Sequence, residues 1–246
     1  MRPVIGITSD FELDARPPGH RLSLRAAYHD AILAAGGLPQ PLPVLPTCDQ
    51  ACLDQSLASL DGILFTGGRD LNPQHYGQVA HPRARLLHPR RDQFELALFK
   101  RADALELPIF AICLGFQVAY VARGGRLIQH LDDLHLNPTV AHHQPDGPGP
   151  FHMVQIDPAS RLAAIVNSTR IEVNSRHHQA ADLTCPARGL RAVAFAPDGL
   201  LEAAEDCDGR FILAVQWHPE DLIDRPEHLR LFEALVEAAG SRPGRR

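Results

Sequence analysis

The sequence predicts an α/β fold, with a central, mostly parallel sheet flanked by helices and an additional antiparallel region. Two patterns carry that reading. In the first half, short apolar runs alternate with stretches whose apolar residues recur at helical spacing, as parallel βαβ units require. In the second half, short strands follow one another across turn signals such as Pro197-Asp198-Gly199 and Asp208-Gly209. That succession sets a mixed or antiparallel region beside the parallel one. At 246 residues the chain is long enough to bury a substantial core.

Taken in order, residues 3–8 read as a first strand, and 22–35 as a helix stopped by Gly36-Gly37. Residues 61–66 are a strand ending in glycines. Residues 91–105 carry Phe94, Leu98, Ala102 and Leu105 at helical spacing. Residues 107–112 form a strand, and 116–122 a helix ended by Gly124-Gly125. The Pro-, Gly- and His-rich stretch 137–150 is a loop. Short strands are expected at 152–156, 170–173, 190–195, 200–204 and 211–215, and a closing helix at 225–239. Residues 1–240 read as a single domain because both halves supply parts of one site, with 241–246 as a flexible C-terminal tail.

That site is signalled by two stretches, Ala111-Ile112-Cys113-Leu114-Gly115-Phe116-Gln117 and Gln216-Trp217-His218-Pro219-Glu220. The first places a cysteine between an apolar strand and an apolar, helix-compatible run. A strand-to-helix turn projects its side chain at the top of a sheet, and the partial positive charge of the helix N-terminus favours the reactive thiolate. The second places a histidine and a carboxylate two residues apart. Alternation along a strand end lets both point the same way, so Glu220 can orient His218 and His218 can serve Cys113.

Cys-Leu-Gly-Phe-Gln followed by Gln-Trp-His-Pro-Glu resembles the class I glutamine amidotransferase superfamily. Three further stretches narrow the resemblance to its stand-alone γ-glutamyl hydrolase branch, peptidase family C26, the group typified by γ-glutamyl-γ-aminobutyrate hydrolase. They are Phe65-Thr66-Gly67-Gly68-Arg69-Asp70-Leu71-Asn72-Pro73, Val173-Asn174-Ser175-Arg176-His177-His178-Gln179-Ala180 and Asp198-Gly199-Leu200-Leu201-Glu202-Ala203. The likeness runs from about residue 3 to 235, with the elements in the family's order. It implies a flavodoxin-like three-layer fold and hydrolysis of a γ-glutamyl amide, with Cys113, His218 and Glu220 as the catalytic residues. The thiolate attacks the γ-carbonyl carbon, His218 protonates the leaving amine, and a γ-glutamyl thioester is then hydrolysed by activated water.

The oxyanion needs fixed N–H donors. The backbone of Leu114 is well placed at the helix start, and the resemblance implies Gly68 as the second donor, a glycine presenting its N–H without a side chain in the way. Gln117 lies one helical turn after the nucleophile, and the matching glutamine of the amidotransferases contacts the amino-acid end of the substrate. Residues 174–179 match a loop that receives the substrate's α-amino and α-carboxylate groups, with His178 and Gln179 as the candidates. The hydrolases commonly carry arginine directly after the nucleophile, whereas this chain has Leu114, as ammonia-producing amidotransferases do. A second reading is therefore a glutaminase subunit delivering ammonia to a separate synthetase partner. A catalytically silent scaffold is disfavoured, since Cys113, His218 and Glu220 are all present.

The resemblance implies a small-molecule γ-glutamyl substrate as the partner, and composition speaks against other classes. A net charge of −5 with no basic stripe argues against nucleic acid or a membrane surface. No apolar run approaches a membrane span, and the N-terminal one is too short for a signal peptide. The five cysteines show no disulfide-framework spacing, which suits a reducing cytoplasm. Gly67-Gly68 lacks the Gly-Lys-Ser/Thr ending of a phosphate loop, and Cys48 and Cys52 do not form a redox pair. Neither His142-His143 nor His177-His178 shows zinc-type spacing, so no metal and no cofactor is expected. The leaving amine and the oligomeric state stay open, a homodimer being common for this size and class.

Overall fold

The computed structural model describes residues 1–13, 19–134, 140–143 and 149–242. Much of the loop expected at 137–150, and the end of the tail expected at 241–246, lie outside them. In chain order the elements are β1 (Val4–Thr8), β2 (Asp10–Leu13), β3 (His20–Ser23), α1 (Ala26–Ala34), β4 (Leu38–Leu42), α2 (Gln50–Leu57) and β5 (Gly62–Phe65). Then come α3 (Pro89–Ala104), β6 (Ile109–Ile112), α4 (Leu114–Ala122), β7 (Arg126–Ile128), β8 (Phe151–Ile156), α5 (Arg161–Val166) and β9 (Arg170–Asn174). The last are β10 (Ala180–Asp182), β11 (Leu190–Phe195), β12 (Leu201–Asp206), β13 (Ile212–Val215) and α6 (Pro226–Gly240).

One nine-stranded sheet runs β4-β1-β5-β6-β13-β12-β11-β8-β9. Pairs from β4 to β13 are parallel, and those from β13 to β9 antiparallel. The two regions read from the sequence are thus halves of a continuous sheet. They meet where β13 lies along β6, Ile212 opposite Ile109 and Val215 opposite Ile112. Because these strands are parallel, their carboxyl ends leave the sheet at the same edge, where open α/β sheets gather their ligands.

Strand alternation builds the three layers. Ile63, Phe65, Ile109, Ala111, Ile212 and Ala214 face a core shared with α2, α3 and α4, including Phe94, Phe99 and Phe116. The intervening Leu64, Phe110, Ile112, Leu213 and Val215 face the other core, with Ile32, Leu231, Phe232 and Leu235 of α1 and α6. Both cores are buried, so the central strands are apolar on both faces, as covered parallel sheets are. No helix among the described residues is long and apolar enough to cross a membrane.

Besides the short helices α2 and α5, which the sequence reading did not include, three local features differ from the sequence expectation. The helix expected at 22–35 begins at Ala26, because His20–Ser23 pairs antiparallel with Asp10–Leu13 and stacks His20 on Phe11 at 4.8 Å. β4, Leu-Pro-Gln-Pro-Leu, is a strand despite its prolines. It lies at the sheet edge, where alternate N–H groups need no ladder partner. β7 and β10 form a separate two-stranded sheet that ties the segment after β9 to the segment after α4.

Candidate active site

Cys113 stands between β6 and α4 with φ 53° and ψ −101°, a conformation that costs a non-glycine residue about 1–3 kcal/mol. The surroundings hold it there. Its N–H donates to Val215 O at 2.8 Å, and Gly115 N–H donates to Thr66 O at 3.2 Å. Gly115 lets α4 press onto β5, since a Cβ there would lie 2.6 Å from Phe65 O and 2.7 Å from Phe65 Cβ. Backbone cannot yield as a side-chain tip can. Gly115→Ala is therefore expected to cost about 1–3 kcal/mol, as overpacking does, and to slow thiol labelling of Cys113. Chemical denaturation and a thiol-reactive probe check both.

His218 comes to the cysteine from the neighbouring strand, three residues past the end of β13. The sequence suggested a strand end for the His-Pro-Glu stretch. Instead Pro219 opens a 3₁₀ turn, Pro219–Asp221, with His218 as its cap. The turn still brings Glu220 Oε1 to 2.7 Å from His218 Nδ1. Asn174, at the end of β9, grips the His218 backbone twice: its side-chain oxygen accepts from His218 N–H at 2.9 Å and its amide donates to His218 O at 2.9 Å.

Burial is the largest influence on the His218 pKa and lowers it. The charges of Glu220 and Cys113 and the hydrogen bonds to both together outweigh that effect, and the pKa is pushed up to about 10. The imidazole is thus held as a cation beside the sulfur at neutral pH. Glu220 is itself fully buried and lies 3.4 Å from Arg25 and 3.7 Å from Arg176.

Gly67 and Gly68 end β5 opposite Cys113. Gly67 N–H donates to the Tyr28 hydroxyl at 2.9 Å, so it is engaged. Gly68 N–H donates to no protein group among the described residues, and Gly68 is exposed. A Cβ on Gly68 would meet Leu114 Cδ2 at 2.6 Å and Arg91 at 2.7 Å, which places Gly68 against the first residue of α4. As that first residue, Leu114 also has an N–H without an intrahelical acceptor. Both N–H groups therefore lie where β5 and the start of α4 meet, next to Cys113 in the chain or in space.

Arg91 fixes the direction of one of them. It is fully buried and donates to Gly67 O at 3.0 Å and to Thr66 Oγ1 at 3.2 Å. C=O and N–H of one trans peptide point opposite ways. Holding the Gly67 carbonyl thus turns the Gly68 N–H the other way. Glu95 at 3.0 Å and Asp10 at 2.8 Å neutralise the guanidinium.

The other expected residues are placed differently. Gln117 is buried, its amide donating to Gln216 at 3.3 Å beside the His218 strand. His178 Nε2 lies 2.8 Å from Asp70 Oδ1, and the other oxygen of Asp70 accepts from Arg85 N–H at 2.6 Å. Gln179 is buried, its amide donating to Gln129 O at 3.0 Å while its own carbonyl oxygen has no hydrogen-bond partner among the described residues. His177 and His178 diverge, only His178 facing Asp70.

Tyr28, Arg91 and Asn174 received no role from sequence reasoning. Tyr28 lies in a helix far from either motif, and its hydroxyl pKa is raised well above normal by burial and then by Glu220. Asn174 and Asp70 at least stand inside motifs that drew attention.

The sheet and its flanking helices are those of a class I glutamine amidotransferase-like α/β fold, and similarity places the chain further. Residues 3–220 match the Peptidase C26 family model, and the chain belongs to that family. It is 40% identical to Rv2859c of Mycobacterium tuberculosis over 99% of this chain and 77% of the relative. It is 36% identical to the γ-glutamyl-γ-aminobutyrate hydrolase PuuD of Escherichia coli K12, over 89% of this chain and 85% of that one. In fold it is similar to the glutaminase domain of Trypanosoma brucei CTPS, with TM-score 0.68 and 18% identity over 98% and 94% of the two chains. The protein is a glutamine amidotransferase-like hydrolase of C–N bonds.

Proposed function

We propose that the chain hydrolyses the γ-glutamyl amide bond of a small γ-glutamylated amine, releasing glutamate through a γ-glutamyl thioester on Cys113. The observation that carries this reading is the buried His218–Glu220 pair set against Cys113 in its strained strand-to-helix turn. The thiolate adds to the γ-carbonyl carbon, and the developing oxyanion sits between the N–H groups of Gly68 and Leu114, each such donor contributing about 3 kcal/mol in comparable hydrolases. His218, held protonated by Glu220, gives its proton to the leaving amine, then takes one from the water that cleaves the thioester.

The surroundings favour an anionic substrate. Two residues past Gly68, Asp70 holds His178, whose ring centroid lies 6.3 Å from that of His143. The His143 pKa is lowered first by burial and then by the charges of His178 and Arg85, which lie close by. Of the candidate residues in the expected substrate loop His178 is half-buried and Gln179 buried, and Gln117 lies beside the His218 strand. A γ-aminobutyrate leaving group, with its own carboxylate, suits such a rim.

Glutamate release from glutamine, γ-glutamyl-γ-aminobutyrate and γ-glutamyl-putrescine tests the proposal. Fast turnover of one γ-glutamylated amine with poor use of glutamine is expected. Slow turnover of glutamine alone would point to the ammonia-donating reading with its synthetase partner.

The pH dependence has a definite sign. With its folded pKa near 10 against an ordinary 6.5, His218 contributes stability that is fully present below about pH 6.5 and is lost as pH rises through about 10. Activity should fall on the same alkaline limb as the general acid deprotonates. Glu220→Gln is expected to move that limb toward neutrality and to slow turnover roughly 10²-fold or more. A pH–rate profile whose alkaline limb is unchanged in Glu220→Gln would contradict the pairing.

A further inference from the structure

Beyond the Cys113 site, four buried side chains converge on one point. His142 from the 140–143 segment, His152 on β8, His177 between β9 and β10, and Glu202 on β12 bring one ligand atom each to within 4.8 Å of one another. Glu202 Oε1 lies 3.4 Å from His142 Nδ1, 3.4 Å from His152 Nε2 and 3.4 Å from His177 Nε2. His142 Nδ1 and His177 Nε2 are 3.3 Å apart. Zinc ligands about 2.0–2.1 Å from a tetrahedral centre stand about 3.3 Å apart along each edge, so these separations suit a shared ion.

The outer nitrogens fix the tautomers. His177 Nδ1 lies 2.9 Å from Gln179 O, and His152 Nδ1 lies 3.3 Å from Met153 O. A carbonyl oxygen only accepts, so both nitrogens carry their protons there. His142 Nε2 is 2.8 Å from Asp198 Oδ2, a carboxylate that likewise draws the proton outward. In the neutral imidazoles the three inner nitrogens then present lone pairs toward one another and toward Glu202, the arrangement in which a bound cation takes the place of any inner proton. Second-shell carbonyls and carboxylates orient metal-bound imidazoles in this way.

Glu202 supplies the independent signal. It has no exposed surface, and neither of its carboxylate oxygens has a hydrogen-bond partner among the described residues. A buried, unsatisfied carboxylate is costly. A divalent cation removes the cost for Glu202, the three imidazoles and Asp198 together, since two carboxylates balance its charge.

We propose that His142, His152, His177 and Glu202 form a closed, four-ligand structural site for a zinc-class divalent cation, separate from the Cys113 site. Three imidazoles and one carboxylate suit zinc. With all four positions taken by protein, the ion organises the chain and leaves no coordination place for substrate. What it organises is the segment 174–179. Ser175 Oγ donates to His142 O at 2.8 Å, Asn174 clasps His218, and His178 meets Asp70. No residue spacing reveals the set, because its members come from four separate parts of the chain.

Untagged protein produced with zinc in the medium is expected to carry about one zinc per chain by elemental mass spectrometry. Cobalt loaded into chelator-stripped protein should give the intense visible bands of a tetrahedral site. Chelation should lower the melting temperature and zinc restore it. Glu202→Gln and His152→Ala should each lose most of the metal, while Cys113→Ala keeps it. Wild-type protein that takes up neither zinc nor cobalt, with melting indifferent to both zinc and chelator, would overturn the proposal. So would zinc that survives both cluster variants or departs with Cys113→Ala.

Discussion

Cys113→Ala is expected to reduce glutamate release by on the order of 10⁴-fold or more, while leaving the fold and substrate binding in place. The nucleophile, acid and oxyanion donors act as a unit, so losing the attacking atom forfeits most of what the others supply. Alanine keeps the Cβ that the elbow already accommodates at φ 53°, and removes only the sulfur. On the proposed function, the substrate's carboxylate and amino groups would still meet the region of Asp70 and His178. A thermal melt close to wild type, together with retained binding of γ-glutamyl-γ-aminobutyrate by calorimetry, separates loss of chemistry from loss of structure. Turnover within tenfold of wild type would remove Cys113 from the mechanism.

Arg91→Met should have the largest effect on stability. The guanidinium is fully buried and joins Glu95 at 3.0 Å, Asp10 at 2.8 Å and the Gly67 carbonyl at 3.0 Å. Removing one partner of a buried pair costs about 3–5 kcal/mol, because the other charge is left without compensation. Glu95, also fully buried, is that charge. Burial already raises its pKa, and Arg91 is the chief influence holding it down. Arg91→Met is therefore destabilised most at high pH, where Glu95 must ionise unpaired. Adding Glu95→Leu should recover much of the stability. Activity should stay low in the double variant, since nothing then fixes the Gly67 carbonyl and hence the Gly68 N–H. Urea denaturation and kcat together test this, and full recovery of kcat in the double variant would show that Arg91 serves packing alone.

Why these residues escaped sequence reading has a physical basis. The strands of the buried sheet were legible because their apolar runs need no knowledge of partners; 190–195 was read with its observed bounds. Cys113, His218 and Glu220 were legible because each sits beside its own strand, within a short motif. β4 was hidden by prolines that only an edge position tolerates, and β2–β3 by a hairpin whose evidence is cross-strand. Arg91 looks like an ordinary charged residue at a helix start until β5 is packed against it. Tyr28 and Asn174 meet His218 and its partners only through long-range closure of the sheet. For Gln117 and Gln179 local sequence could suggest a pocket, yet their amide partners, Gln216 and Gln129, lie in other elements.

The central claim is a covalent γ-glutamyl intermediate on one cysteine. The most direct measurement is intact and peptide-level mass spectrometry of protein mixed with γ-glutamyl-γ-aminobutyrate or glutamine and quenched in acid during turnover. A mass gain of one γ-glutamyl group on the peptide containing Cys113, absent from Cys113→Ala and discharged by hydroxylamine, is the expected result. Steady turnover with Cys113 unmodified at every quench time, and glutamate release persisting in Cys113→Ala, would contradict it.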